Sequence, residues 1–316
     1  MVVALIPDGE FIRLFTELGP AEMARRVGQG TRRIQARRRD LERKYKRRID
    51  SPTKSCSPQP AYVEHPGRIQ VPLKSGFVLI GSDAHYWPGP PSLMHRAFVK
   101  LCKELKPKLV ILNGDVVDLA SISRHPPIGW TKLPETWEEI ELAQERLHEI
   151  AKAAGRARKI WTLGNHDSRY ETKIATSTPE LRKVPGTSLA DHYPLWETCW
   201  SVFINNDIVV KHRFKGGMHA PHNNAVNSGR TMITGHLHSA KVTPWDDYNG
   251  TRYGVDSGCM ADPNHRAFVD YTEDNPKNWR EGLCVLELVD GRLKPPDLVL
   301  RWDQDNVVFR GEVIRV

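Results

Sequence analysis

Five short runs rich in β-type residues each break off into side chains that can bind a cation. "GFVLIGS" leads into Asp83 and His85, "KLVILNG" into Asp115 and Asp118, and "KIWTLG" into Asn165 and His166. "DIVVKH" ends on His212, and "TMITGH" leads to His236 and His238. The i, i+2 spacing of Asp83 and His85 puts both side chains on one face of extended backbone. Glycine, asparagine and aspartate are also good turn formers, so turn chemistry alone explains any single ending. It does not explain five endings that each deliver carboxylate, imidazole or carboxamide.

Taken in order, D-x-H, G-D-x-x-D, G-N-H-D, H and G-H-x-H resemble the motifs of the calcineurin-like metallophosphoesterase superfamily, over about residues 77–240. The resemblance implies a four-layer α/β sandwich, two mixed sheets flanked by helices, with a dinuclear metal centre at one end of the sheets. Carried over position by position, Asp83, His85 and His238 hold the first metal, Asn165, His212 and His236 the second, and Asp115 bridges both. Imidazole and carboxylate without thiolate suit Mn, Fe, Zn, Ni or Co, with Mn the first expectation. Two metals imply hydrolysis of phosphate esters. His166 would face the scissile phosphate as general acid, with Asp118 orienting its imidazole. Protein Ser/Thr phosphatases carry Arg directly after G-D-x-x-D and end the next motif in Glu. Leu119 and Asp167 stand at those places here, which counts against a phosphoprotein phosphatase.

Weaker candidates surround this set. Arg124 and His125 follow the second motif and could meet substrate phosphate, or could be plain loop. His219 and His222 lie near His212 in sequence, but capping or surface roles suit them better than the cleft. Trp245 and Trp279 read as core or lid packing.

The elements that position these residues follow from periodicity. From Gly76 onward the β-type runs alternate with helical stretches at 93–106 and 136–156, an α/β pattern, and beyond Trp245 the chain is mainly strand-like. Residues 76–316 therefore form the catalytic domain. Residues 49–75 hold five prolines with serines and little apolar periodicity, as a linker does.

Residues 1–48 differ in kind. Phe11, Leu14, Phe15 and Leu18 keep helical spacing up to Gly19, and Pro20 opens a second helix that ends at Gly28. Thr31 can cap a third, whose inward residues are Ile34 and Leu41. With Ala24 at a close helix approach, Gly28 in the turn and Ile34 as anchor, the segment resembles a small all-α helix-turn-helix domain. That resemblance implies that Arg32, Arg33, Arg37 and Arg38 face a DNA duplex. Arg37 departs from the pattern, since such helices often carry an apolar residue there. An Arg-rich helix is also compatible with a solvated face or a nonspecific polyanion-binding arm.

Charge follows the same division. The chain carries a net +8, yet residues 24–48 alone hold twelve Arg or Lys against two acids, so the remainder is nearly neutral. No apolar run approaches the ~18 residues that cross a bilayer, and "MVVALIPDGEF" is too soon interrupted to be a signal segment. The five cysteines, Cys56, Cys102, Cys199, Cys259 and Cys284, form no C-x-x-C pair. The expected compartment is the cytoplasm, that of the host if the chain is phage-encoded. The whole resembles phage and prophage DNA-associated phosphoesterases. The leading expectation is a nuclease or DNA-end-processing phosphodiesterase. A nucleotide or cyclic-nucleotide phosphodiesterase comes next, and a DNA-binding regulator with a non-catalytic metal domain last.

Overall fold

The computed structural model describes residues 6–52, 65–125, 127–265, 268, 269, 272 and 275–316. The chain divides into two compact units, Met1–Glu64 and His65–Val316.

In the first unit, α1 (Asp8–Val27) bends at Gly19, whose φ of 72° and ψ of 170° interrupt the helix just before Pro20. Gly28 caps it in the left-handed region, and α2 (Thr31–Tyr45) follows. Gly30 is the N-cap of α2 and Thr31 its first helical residue, so Thr31 does not cap as expected. Phe11, Phe15, Met23, Val27, Ile34 and Leu41 make a small core that also takes in Ile6 and Ile49.

Arg37 does not face outward. It donates to the Ile6 carbonyl, pairs with Asp8 at 3.2 Å and lies 4.9 Å over the Phe11 ring. Its stem thus fills the place that an apolar residue would take. Arg38 likewise sits 5.8 Å over Phe15 and 3.7 Å from Glu42, whereas Arg32 and Arg33 are exposed. Asp8 ties the start of α1 to the end of α2 through Lys44 at 2.7 Å and Tyr45 at 2.9 Å, and these bonds hold its carboxyl down at about 2.

The second unit begins earlier than residue 76. Strand β1 (Arg68–Val71) pairs in parallel with Ser201–Ile204 at a sheet edge, so residues 65–75 belong to the catalytic unit and are not linker. A strand of four residues set between Pro66 and Pro72 is too short to show alternation in the sequence. The remainder of the expected linker, residues 53–64 with Cys56, lies outside the described residues.

After β2 (Gly76–Gly81) come α3 (Leu93–Leu105), β3 (Leu109–Asn113), α4 (Thr136–Ala154), β4 (Arg158–Thr162), α5 (Arg169–Ser177) and β5 (Glu197–Cys199). Then follow β6 (Ser201–Ile204), β7 (Ile208–Val210), α6 (Ala220–Ser228), β8 (Thr231–Thr234), β9 (Lys241–Asp247) and β10 (Gly250–Asp256). The chain closes with β11 (Gly282–Val289), β12 (Arg292–Leu293), β13 (Asp297–Arg301), β14 (Asn306–Phe309) and β15 (Glu312–Arg315).

Two mixed sheets result. One runs β1-β6-β7-β8-β10-β9, the other β15-β14-β13-β11-β2-β3-β4-β5, with β12 beside β11. Alternation decides which face each residue serves. Val78, Ile80, Ile111, Ile160, Cys284 and Leu286 turn toward Val202, Val210, Ile233 and Val255 of the other sheet. Leu79, Val110, Leu112, Trp161 and Val285 turn the opposite way, into a cluster with Phe98 and Leu101 of α3 and Leu147 and Ile150 of α4. Helix α6 packs on β8, β9 and β10. The layers are helix, sheet, sheet, helix. No helix among the described residues is long and apolar enough to cross a membrane.

Asp8→Asn is expected to speed amide hydrogen exchange within residues 8–45 and leave residues 76–316 unchanged. The folded carboxyl titrates at about 2 against 3.8 ordinarily, so its contribution is full above 3.8 and is lost as pH falls toward 2. Exchange in wild type and variant should therefore converge over that window.

Candidate metal centre and catalytic cleft

The parallel strands β2, β3 and β4 and the neighbouring β7 and β8 end on the same side, and the side chains singled out in the sequence lie in the connections that follow. Asp83 and His85 do not share a face of extended backbone. Both are left-handed, with φ of 55° and 40°, as are Asp115 at 50°, His236 at 70° and His238 at 55°. Asp and His tolerate this region better than most residues, but each such position still costs ~1–3 kcal/mol. The loops are braced against one another: Asp83 N–H donates to Gly114 O, His85 N–H to Asp115 O and Tyr86 N–H to Val116 O, all within 3.0 Å. Two motif glycines make the close approach possible. A Cβ on Gly164 would stand 2.1 Å from Asp115 Oδ1, and one on Gly235 2.4 Å from Asp83 Oδ2.

The ligand atoms of Asp83, His85 and His238 lie within 4.8 Å of one another, and so do those of Asp115, His212 and His236. The two triads adjoin, since Asp83 Oδ1 is 3.0 Å from His238 Nε2 and 4.0 Å from His212 Nε2. Asp115 Oδ2 is 3.0 Å from His212 Nε2. Asn165 lines the same cleft.

Three observations show that this donor set fits two divalent cations. His85 Nε2 and Asn165 Oδ1 are buried without a hydrogen-bond partner, a costly state for atoms with no other use. The outer nitrogens are already committed: His85 Nδ1 bonds Asp118 at 3.0 Å and His212 Nδ1 donates to Asn113 O at 2.9 Å, which turns each Nε2 inward. Burial would depress His212, yet the Asp83 and Asp115 carboxylates outweigh it and lift the imidazole to about 10, so this pair of anions favours positive charge beside it.

His166 stands beside both triads, with Nδ1 2.6 Å from Asp118 Oδ1 and Nε2 3.9 Å from Asp115 Oδ2. Asp118 thus serves His85 and His166 together. Burial pushes the His166 pKa down, but Asp118 and Asp115 prevail, and the ring keeps its proton above the usual imidazole range.

Four functional features went unread in the sequence. Asp167 is fully buried and accepts from the N–H groups of Asp115, Val116, Val117 and Gly164 and from Trp161 Nε1, at 2.7–3.3 Å. Glu139 of α4 accepts from Leu119 and Ala120 N–H and so pins the loop just past Asp118, while burial and Asp118 lift its carboxyl to about 7. Arg169 donates to Asp118 O at 2.7 Å and reaches within 3.4 Å of His166 Nε2. Its place three residues after His166, in the first turn of α5, could have revealed it. Trp279 is not core packing: with Phe268 it walls the cleft, a space of about 380 Å³.

His125 also lines the cleft, but Arg124 is exposed, its Nε 3.3 Å from His125 Nε2, and is not part of the lining. His222 stacks edge-on to Trp245 at 5.1 Å, and His219 precedes α6 at its N-cap, both outside that lining. Cys102, Cys199, Cys259 and Cys284 are free and buried.

Asp115→Asn or His236→Ala should lower bound metal and abolish hydrolysis, as read by mass spectrometry alongside turnover. Full activity in a metal-depleted Asp115→Asn protein would remove Asp115 from the centre. Asp167→Asn turns an amide N–H toward buried donors, so it should destabilise the fold by ~1–3 kcal/mol and weaken metal retention. A thermal melt within a degree of wild type would contradict that role.

No curated protein matches the chain in sequence. Among solved structures, a dimetal phosphatase from Danio rerio aligns at 10% identity over 72% of this chain and 96% of its own, with a TM-score of 0.36. A protein serine/threonine phosphatase from Saccharomyces cerevisiae aligns at 14% identity over 80% of this chain and 84% of its own, also at 0.36. The profile of the calcineurin-like phosphoesterases matches residues 78–256. That match spans more than half of the sequence and takes in every expected ligand from Asp83 to His238, so the chain belongs to the calcineurin-like phosphoesterase family, hydrolases of phosphoric esters.

Proposed function

We propose that this chain is a dinuclear-metal phosphodiesterase acting on DNA, as a nuclease or DNA-end-processing enzyme. The observation that carries the chemistry is the Asp118–His166 pair, 2.6 Å apart and beside both ligand triads. When bound, two divalent cations supply a nucleophile at neutral pH and neutralise phosphoryl oxygens. Asp83, His85 and His238 would hold one, and Asn165, His212 and His236 the other, with Asp115 between them. These carboxylate, carboxamide and imidazole donors suit Mn, Fe, Zn, Ni or Co, and manganese is the first of them to test. His166 holds a proton at Nε2 and gives it to the leaving oxygen, while Asp118 fixes the ring through Nδ1. Arg169, with a guanidinium nitrogen 3.4 Å from that Nε2, meets a phosphoryl oxygen next to it.

DNA as substrate rests on the first unit, read as a helix-turn-helix, and on the resemblance to phage DNA-associated phosphoesterases. The cations that would meet the duplex differ from the four arginines expected. Arg32 and Arg33 are exposed and Arg37 is engaged within the unit, while Arg38, Arg39, Arg43, Lys46, Arg47 and Arg48 line one exposed hollow, Arg43 and Arg48 paired there with Asp40 and Asp50. Free, buried cysteines suit a reducing cytoplasm.

His166→Ala should retain metal yet slow turnover by ~10² to 10⁴, with a smaller loss on nitrophenolate leaving groups. An equal loss across leaving groups would leave charge stabilisation as its only role. Removal of residues 1–64 should raise KM for DNA and spare small diesters. Each arginine–phosphate pairing abolished, as by Arg39→Ala with Arg43→Ala, should reduce the log–log salt slope by ~0.9. If truncation leaves DNA cleavage unaltered at physiological salt while free nucleotides are hydrolysed, the enzyme is a nucleotide phosphodiesterase.

A further inference from the structure

Trp279 is a wall shared by two hollows. On one side it faces the metal cleft, meeting His238 edge-on at 4.4 Å and Phe268 at 5.5 Å. On the other it borders a space of about 480 Å³ lined by Lys277, Arg280, Glu281 and Arg301. Among these charges, Arg301 and Glu281 neutralise each other, and Arg301 also lies 3.8 Å from Asp262. Lys277 holds the Pro263 carbonyl and sits 5.6 Å from the centre of the Trp279 ring. The exposed Arg280 has no side-chain partner among the described residues. Among the described residues the usable charge of the second hollow is therefore Lys277 and Arg280, which flank the half-buried Trp279 in sequence.

We propose that this segment is a nucleotide subsite: Trp279 stacks the base that flanks the scissile phosphate, and Lys277 and Arg280 take the next phosphate along the strand. The assignment rests on the phosphodiesterase reading and names its substrate as a strand whose bases are unpaired where they cross Trp279. A base in a duplex has both faces covered by its neighbours and offers none to an indole. Stacking of single-stranded bases on aromatic side chains beside a cationic groove is the physical mode in which such strands are held. The metal cleft then receives the phosphodiester from a fixed direction, from Trp279 toward His166.

The test compares thymidine 5′-(p-nitrophenyl phosphate) with methyl p-nitrophenyl phosphate, two diesters with the same leaving group and only one base. Trp279→Ala should lower the ratio of their kcat/KM values by about tenfold, mainly through KM, and Trp279→Phe should restore most of it. Lys277→Ser with Arg280→Ser should raise KM several-fold for a trithymidylate ester and much less for the mononucleotide ester. An equal fall on both diesters in Trp279→Ala would show that the indole merely supports His238, and would overturn the subsite. If wild type hydrolyses no diester, the phosphodiesterase reading fails, and the subsite is decided by binding. Fluorescence anisotropy of dye-labelled trithymidylate, in the metal-loaded His166→Ala protein, should show roughly tenfold weaker affinity when Trp279→Ala is added. Equal affinity would overturn it.

Discussion

Everything at the candidate centre hangs on one buried carboxylate that is not itself a ligand. Asp167 gathers backbone donors from three consecutive residues of the loop after β3 and one from the loop after β4, and so fastens two ligand-bearing connections to each other. Without that fastening, Asp115 would be free to leave a backbone conformation that disfavours it. Burial and the nearby Asp115 charge lift the Asp167 carboxyl to about 6, against the pull of its donors. The centre is thus held by an anion whose position is itself unfavourable electrostatically, and the surrounding N–H groups decide the balance.

Glu139 repeats this device one step further along the chain. It reaches from α4 to the two N–H groups after Asp118, the residue through which His85 and His166 are aligned. Helix α4 is in turn seated by Leu147 and Ile150 in the core against Val110 and Trp161. Apolar packing at the centre of the sheet is converted, through two carboxylates, into the placement of an imidazole at its end.

Much of this was legible in the sequence, and for definite reasons. The strands β2, β3 and β4 are buried on both faces, so they read as continuous apolar runs with abrupt polar ends. Gly19-Pro20 and Gly28 punctuate the first unit because only particular residues suit a left-handed break and a first helical turn. What escaped was of another kind. Strand β1 is too short for a period to register, and Arg37 reads as surface because composition does not reveal a stem laid over Phe11. Asp167 and Glu139 act by accepting backbone N–H groups from distant loops, bonds that no local spacing encodes. Trp279 looked like packing because its neighbours in the cleft, His238 and Phe268, are brought to it only by the tertiary fold.

The cleft is built from two sets of connections with different duties. The expected ligands all sit directly after β2, β3, β4, β7 and β8, whereas of the residues that shape the walls Phe268 and Trp279 belong to the β10–β11 connection, which carries no ligand, and Ile128 and Leu133 to the later part of the β3–α4 connection, well past Asp115. Exchange of the β10–β11 wall between Ala261 and Arg280, whose N–H groups bond the Asp83 and His238 carbonyls, spares the bonds of Asp167 and Glu139, because neither reaches into that connection. Reactivity and selectivity are therefore separately heritable in this architecture: one can be conserved while the other drifts, and a new substrate can be acquired by loop exchange without rebuilding the catalytic floor.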